Sequence, residues 1–123
     1  MTKRLTNEES IEPLVNYLRV HRRKSGLTQN DLARVLGYDD YGSVSRHERF
    51  AAVPSLLMAL RYQVLFREPV SEIFAGLNES VEFEVESRLA EFENYLGEQS
   101  ARGPRAMAIA RKLEWLSERR SSG

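Results

Sequence analysis

Residues 26–48, GLTQNDLARVLGYDDYGSVSRHE, constrain the fold more than any other part of the chain. Thr28 can cap the start of a helix, and Asp31, three residues later, completes the pattern of a capping box. Gly37 stands where that helix must end and where the chain must take a left-handed turn. The apolar side chains between them recur at helical spacing and predict one buried face: Leu32, Ala33 and Leu36. The pattern therefore predicts a short helix over residues 29–36.

A second short helix is predicted directly after the turn, from residue 42 or 43 to about residue 49. Val44 anchors this helix on the inside. The side chains left on the outside are Ser43, Ser45 and Arg46. A compact helix pair that presents small polar groups and an arginine fits the major groove of DNA. The local pattern thus predicts a DNA-binding protein.

The composition narrows the class of protein. The 123 residues include no cysteine, so disulfides and thiolate metal sites are excluded and a cytoplasmic location is expected. No uncharged run is long enough to span a bilayer, and the charged first ten residues are unlike a signal peptide. The two histidines have no metal-ligand spacing, and neither a phosphate-binding glycine loop nor a nucleophile motif is present. We therefore expect no enzyme activity, no cofactor and no metal.

The net charge is zero, but the charged residues are unevenly distributed along the chain. Residues 1–50 carry +2 and residues 51–75 carry no net charge, whereas residues 76–100 carry −6 and residues 101–123 carry +4. A nucleic-acid binder usually has a basic surface. Because the acidity is confined to one late segment, the neutral total does not exclude DNA as a partner.

The rest of the chain also has a helical pattern, and no alternation of β-branched residues predicts a strand. Pro13 suits the first turn of a helix that ends near residue 24, and Pro54 opens a fourth helix that reaches about residue 66. The aliphatic residues of this fourth helix are available to the core: Leu56, Leu57, Leu60, Val64 and Leu65. A short fifth helix or turn follows over residues 71–74. We therefore predict an all-α fold with a five-helix domain over residues 11–76.

A two-helix extension over residues 77–120 is predicted to follow this domain. Its first helix has apolar residues at spacings of four, four, three and four, which is a near-heptad seam, and its last helix has a similar stripe. The residues predicted to form a dimer interface are Val81, Val85, Leu89, Phe92, Leu96, Ile109, Leu113 and Leu116. The opposite charges of the two helices favour their pairing in an antiparallel hairpin. Alternatively, both helices fold back on the first domain.

Residues 14–74 resemble the Cro/phage-repressor class of helix-turn-helix domains, also called the xenobiotic-response-element family. The matching motifs are GLTQNDLARVLG, VSRHER, PSL and VSEIF, in the family's order and near its spacing. The resemblance implies five short helices, the third of which lies in the major groove. It also implies a sequence-specific transcriptional regulator, acting as a repressor, that binds a palindromic operator as a homodimer.

The resemblance further assigns roles to individual residues. Arg46 would recognise a guanine through a bidentate contact to O6 and N7, and Gln29 would bond a phosphate. The two serines of the third helix would contact phosphate or sugar. Arg22 and Glu48 would form a structural ion pair between the first and third helices. The full set expected at the DNA is Gln29, Tyr41, Gly42, Ser43, Ser45, Arg46 and Arg49.

Two features depart from the family's pattern. The turn GYDDYG is about one residue longer than usual and carries Asp39 and Asp40, which DNA phosphates would repel. These carboxylates either cap the third helix on the side away from DNA or indicate a different docking. Phe50 replaces a common glycine, and the following AAV lacks the basic residues that often touch phosphate. Fewer backbone contacts imply a modest affinity per domain and a stronger need for a dimer.

Two other functions remain open. The chain could be an antitoxin whose C-terminal helices bind a toxin while its first domain regulates the operon. It could also be an interaction module that keeps the fold without binding DNA. A toxin gene beside this one would favour the first of these, and a lack of salt-sensitive DNA binding would favour the second.

Overall fold

The computed structural model describes residues 16–122, and over these residues the chain is helical without any strand, which confirms the all-α prediction. The helices are α1 (Leu18–Lys24), α2 (Gln29–Leu36), α3 (Gly42–Glu48), α4 (Leu56–Phe66), α5 (Val70–Ile73), α6 (Ala75–Gly97) and α7 (Pro104–Ser122). Pro13, expected in the first turn of the first helix, lies outside the described residues. Of the helices described, none is long and apolar enough to cross a membrane.

Two compact units make up the chain, Met1–Val81 and Glu82–Gly123, and α6 runs from the first into the second. The core of the first unit is formed by Leu18, Leu32, Ala33, Leu36, Val44, Tyr62, Ile73 and Phe74. All the residues predicted on the inner faces of α2 and α3 are among them. The backbone N–H of Tyr17 donates to the carbonyl of Ile73 at 2.7 Å, so the start of α1 is tied to the end of α5.

Local signals at both ends of α2 determine its length, as the sequence predicts. The hydroxyl of Thr28 accepts the N–H of Asp31, and the carboxylate of Asp31 accepts the N–H of Thr28, each at 3.0 Å. These two bonds satisfy N–H groups that have no partner inside the helix. Gly37 ends α2 at a φ of +88°, in the left-handed region that favours glycine. The turn into α3 starts there.

The face that α4 turns to the core differs from the prediction. Ser55, rather than Pro54, begins this helix, because the Ser55 hydroxyl accepts the N–H three residues further on at 3.2 Å. Ala59 and Tyr62 are buried. Of the five aliphatic residues expected in the core, only Leu65 packs against it. The other four are exposed: Leu56, Leu57, Leu60 and Val64. The reason is that the Tyr62 hydroxyl has a buried partner, His47 of α3, at 2.8 Å, so the tyrosine face of α4 points inward.

The second unit contains most of α6 and the whole of α7. Two ion pairs join these helices, Arg119 with Glu86 and Arg120 with Glu93, so the expected attraction between an acidic and a basic helix is present. Each pair is largely exposed to solvent and therefore adds little to stability.

The residues predicted at a dimer interface fall into three groups by exposure. Leu96 and Leu116 are buried, Leu89, Ile109 and Leu113 are half-buried, and Val81, Val85 and Phe92 are exposed. Leu96 and Leu116 are covered by residues of their own chain, and the dimer interface stays a prediction for all eight positions.

Candidate nucleic-acid interface

The inner face of α3 is fixed to the first unit by buried contacts. Val44 is fully buried, and Nδ1 of His47 is hydrogen-bonded to the hydroxyl of Tyr62 at 2.8 Å. The backbone carbonyl of His47 accepts the side-chain amide of Asn16 at 2.7 Å. Burial lowers the pKa of His47, and the positive charge of Arg46 lowers it further. The imidazole is therefore neutral at neutral pH, and it holds α3 in one orientation.

Glu48, the last residue of α3, connects three helices. Its carboxylate accepts hydrogen bonds from Nε and Nη2 of Arg22 in α1, the latter at 3.1 Å. It also accepts the amide of Gln29 at the start of α2 at 3.0 Å and Nε of Arg19 at 3.4 Å. The side chain of Glu48 is 0 % exposed and that of Arg22 is 11 % exposed. The expected ion pair between α1 and α3 is therefore present, and it is buried.

This ion pair shifts the pKa of both partners. Burial by itself would raise the pKa of Glu48, but hydrogen bonds from Arg22 and Gln29, together with the charge of Arg22, outweigh it, so the pKa lies below its ordinary value. The hydrogen bond to Glu48 raises the pKa of Arg22 in spite of its burial. Both groups are charged at neutral pH. Removal of either one leaves a buried charge without a counter-ion.

The outer face of α3 carries four of the seven residues expected at DNA, and Ser43, expected there too, is half-buried at its edge. At about 100° per residue, the side opposite the buried residues holds Gly42, Ser45, Arg46 and Arg49. Nη2 of Arg46 lies 3.3 Å from the hydroxyl of Ser43, and Nε of Arg49 lies 3.3 Å from the hydroxyl of Ser45. Each guanidinium group is thus held along the helix and keeps further donors free. The result is a surface on which two exposed arginines stand beside small, half-buried residues.

The turn before α3 brings Asp40 close to Arg46. Oδ1 of Asp40 accepts the N–H of Gly42 at 2.8 Å, while Tyr41 makes no side-chain cap, so Asp40 caps α3. A Cβ added to Gly42 would stand 3.0 Å from Oδ1 of Asp40 and 3.3 Å from Nη1 of Arg46. The sequence leaves open whether Asp40 caps α3 on the side away from DNA or indicates a different docking. The structure shows that Asp40 caps α3, but its carboxylate lies on the same side as Arg46. The Asp-x-Gly spacing, typical of a turn closed by an aspartate, could have indicated this.

Gln29 is held by a partner that the resemblance does not imply. One N–H of its amide donates to Glu48 at 3.0 Å, which leaves the second N–H for another acceptor. Gln29 lines an open pocket at the starts of α2 and α3, and its neighbours there are Arg22, Leu27, Thr28, Asn30 and Tyr41. The structure therefore brings Gln29 and Tyr41 together at one solvent-exposed pocket beside α3.

Phe50 keeps the backbone turn for which glycine is common. Its φ is +55°, in the left-handed region. The N–H of Ala51 then donates to the carbonyl of Arg46 at 2.7 Å, which closes the end of α3. Phe50 thus adopts a backbone conformation that favours glycine at the end of α3.

Within residues 16–122, no group of three or more His, Asp or Glu side chains could hold a metal ion. Comparison with models of known protein families finds no match, and comparison with curated proteins finds none either. The geometry of α2 and α3 is therefore the basis of the functional proposal.

Proposed function

We propose that this chain is a sequence-specific DNA-binding transcriptional regulator that acts as a repressor. In this proposal, α1–α5 form a repressor-like helix-turn-helix domain, and α3 lies in the major groove of double-stranded DNA. The observation that carries the proposal is the outer face of α3. It combines small residues with two arginines, whereas Val44, His47 and Glu48 are all engaged on the inner side.

The size and chemistry of this face suit base recognition. The major groove is about 12 Å wide and admits one helix, whose backbone must come close to the base edges. Gly42 and Ser45 allow that approach because their side chains are small. Arg46 carries a planar fork of donors that matches O6 and N7 of guanine, and we assign it the base contact. Arg49 and the serines would contact phosphate or sugar, which sets the register on the duplex.

The pocket beside α3 supports a phosphate contact. Gln29 and Tyr41 both line it, and each has a donor for a phosphate oxygen. Because Glu48 already holds one N–H of Gln29, the amide is oriented before DNA binds. Such preorganisation reduces the entropy that binding must overcome.

We further infer that the second unit joins two copies into a homodimer. Val85 and Phe92 lie seven residues apart on one face of α6 and are exposed, and the ring of Phe92 stacks on Tyr95 with centroids 6.2 Å apart. The acidic α6 and the basic α7 make the surface of each copy complementary in charge to a second copy. Dimeric helix-turn-helix proteins bind half-sites about 34 Å apart, so a twofold dimer of this chain would suit a palindromic operator.

Selection from a random pool of duplex DNA tests this proposal. The enriched sites should be palindromic, with half-sites about one helical turn apart and a common guanine in each. Arg46→Ala should lose the preference for that guanine, whereas Gln29→Ala should weaken binding to all sequences about equally. Recovery of unrelated sequences by the wild-type protein would contradict the proposal.

A further inference from the structure

We infer that Asp40 contacts a cytosine and that Asp40 and Arg46 together recognise one G·C base pair. The inference rests on the proposed function, because it requires α3 to lie in the major groove. The observation behind it is a carboxylate and a guanidinium at one position on the outer face of α3.

Gly42 lies between these two charged groups. The point where its Cβ would stand is 3.0 Å from Oδ1 of Asp40, and it is 3.3 and 3.7 Å from Nη1 and Nη2 of Arg46. The two groups are therefore neighbours across a bare stretch of backbone. Among the ion pairs of the described residues, none joins Asp40 to Arg46. Because no pair neutralises them, both groups keep hydrogen-bonding capacity for a ligand.

The glycine at this position matters for space and not for backbone conformation. Residues 26, 37 and 103 are the glycines with a positive φ in the described chain, and Gly42 is not among them. A side chain there would meet Asp40 at 3.0 Å, closer than ordinary van der Waals contact, so the carboxylate or the guanidinium would have to shift by a few tenths of an ångström. Gly42 thus keeps the two charged groups side by side.

This arrangement matches the major-groove edge of a G·C pair. That edge presents two acceptors, N7 and O6 of guanine, followed by one donor, the N4 amino group of cytosine. Arg46 has donors for the first two positions. The carboxylate of Asp40 is an acceptor only, and after accepting the N–H of Gly42 it retains an oxygen for the amino group.

The same arrangement disfavours an A·T pair. Next to its adenine, an A·T pair presents the O4 acceptor and the methyl group of thymine. A carboxylate cannot donate to O4, and it loses hydration against the methyl group without gaining a hydrogen bond. Asp40 therefore adds discrimination against A·T to the guanine contact of Arg46.

Binding measurements with two matched asparagine variants test this inference. Asp40→Asn keeps an oxygen for the N–H of Gly42, so α3 stays capped, but it loses the charge and gains a donor. Its preference for G·C over the other base pairs at this position should fall by about 5- to 150-fold. Asp39→Asn is the control, because its side chain lies in the same turn and makes no hydrogen bond within the described residues; its preference should not change.

Modified bases separate the contact of Asp40 from that of Arg46. Replacing the cytosine by 2-pyrimidinone, which lacks the N4 amino group, should lower the affinity of the wild-type protein for the site. The affinity of Asp40→Asn should not change. Replacing the guanine by 7-deazaguanine, which lacks the N7 acceptor, should lower the affinity of both proteins by the same factor. A wild-type affinity that is unchanged by 2-pyrimidinone would overturn the role of Asp40, and this result does not depend on how the variant folds. A wild-type protein that selects no sequence at all would overturn the proposed function and the inference with it.

Discussion

Replacement of Glu48 by alanine should destabilise the first unit far more than the loss of an exposed charge. The wild-type carboxylate is fully covered and accepts hydrogen bonds from Arg22, Gln29 and Arg19. Without it, the guanidinium of Arg22 stays largely buried and keeps only its bond to the carbonyl of Leu27, at 3.1 Å. A buried positive charge would then have no counter-ion.

The expected cost follows from the burial of this pair. Removing one partner of a buried ion pair typically costs about 3–5 kcal/mol. A folded unit of this size has a total stability of roughly 5–10 kcal/mol. Glu48→Ala should therefore remove a third or more of the free energy of unfolding. Since Arg22 is 11 % exposed and can move towards solvent, we expect a value near the lower end of that range.

Hydrogen–deuterium exchange measured by mass spectrometry can follow the two units separately. In peptides from α2 and α3, protection should fall by roughly 150-fold or more, since 1.4 kcal/mol corresponds to a factor of ten. Peptides from α7 should keep their protection. Glu79→Ala removes an exposed glutamate from the same unit and should change protection by less than about threefold. Equal protection in the Glu48 and Glu79 variants would refute the role of Glu48 as a buried counter-ion.

Three further predictions concern pH, backbone conformation and assembly. Because the pKa of Glu48 is lower in the folded than in the unfolded chain, its contribution is complete above the unfolded pKa of about 4.3 and is lost as the pH falls through the folded pKa. The melting temperature of the wild type should accordingly fall more steeply in that acid range than that of Glu48→Gln, and parallel curves would contradict this. Arg67 has a φ of +56°, a backbone conformation that costs energy for most residues other than glycine. Arg67→Gly should therefore raise the free energy of unfolding, measured by urea titration, by up to about 1 kcal/mol. A lower free energy of unfolding in this variant would contradict the prediction. Phe92→Glu should be monomeric in sedimentation, whereas Phe83→Glu, nine residues earlier and on the opposite face of α6, should stay dimeric. A dimeric Phe92→Glu would exclude that face as the interface.

The parts of the fold that the sequence predicts correctly depend on neighbouring residues. The capping box of α2 and its end at Gly37 involve groups only a few residues apart. The inward face of α4 could not be predicted in this way, because LLMALRYQVLF is apolar on nearly every side and has no single stripe. That face is selected by the bond between Tyr62 and His47, which are 15 residues apart in the chain.

The same distinction applies to the candidate interface. The outer face of α3 can be predicted, because Val44 determines which side of the helix is buried. The partner of Gln29 could not be predicted, since Glu48 is 19 residues away and only the fold brings the two together. Asp40 has a local signal, its spacing to Gly42, but an argument from phosphate repulsion alone places it away from DNA. The position of its carboxylate beside Arg46 emerges only in three dimensions.

The central claim is that the outer face of α3 recognises DNA sequence, and an anisotropy titration tests it most directly. The selected operator and a scrambled duplex of equal length are titrated with the wild type, Arg46→Ala and Arg102→Ala at several salt concentrations. Arg102 is exposed in the loop between α6 and α7 and provides a control for the loss of one positive charge. The wild type should bind the operator more tightly than the scrambled duplex, and its affinity should fall as the salt concentration rises. Arg46→Ala should lose about 1–3 kcal/mol of binding free energy on the operator and none on the scrambled duplex. Equal binding of both duplexes by the wild type, or an Arg46→Ala protein indistinguishable from Arg102→Ala, would contradict the account.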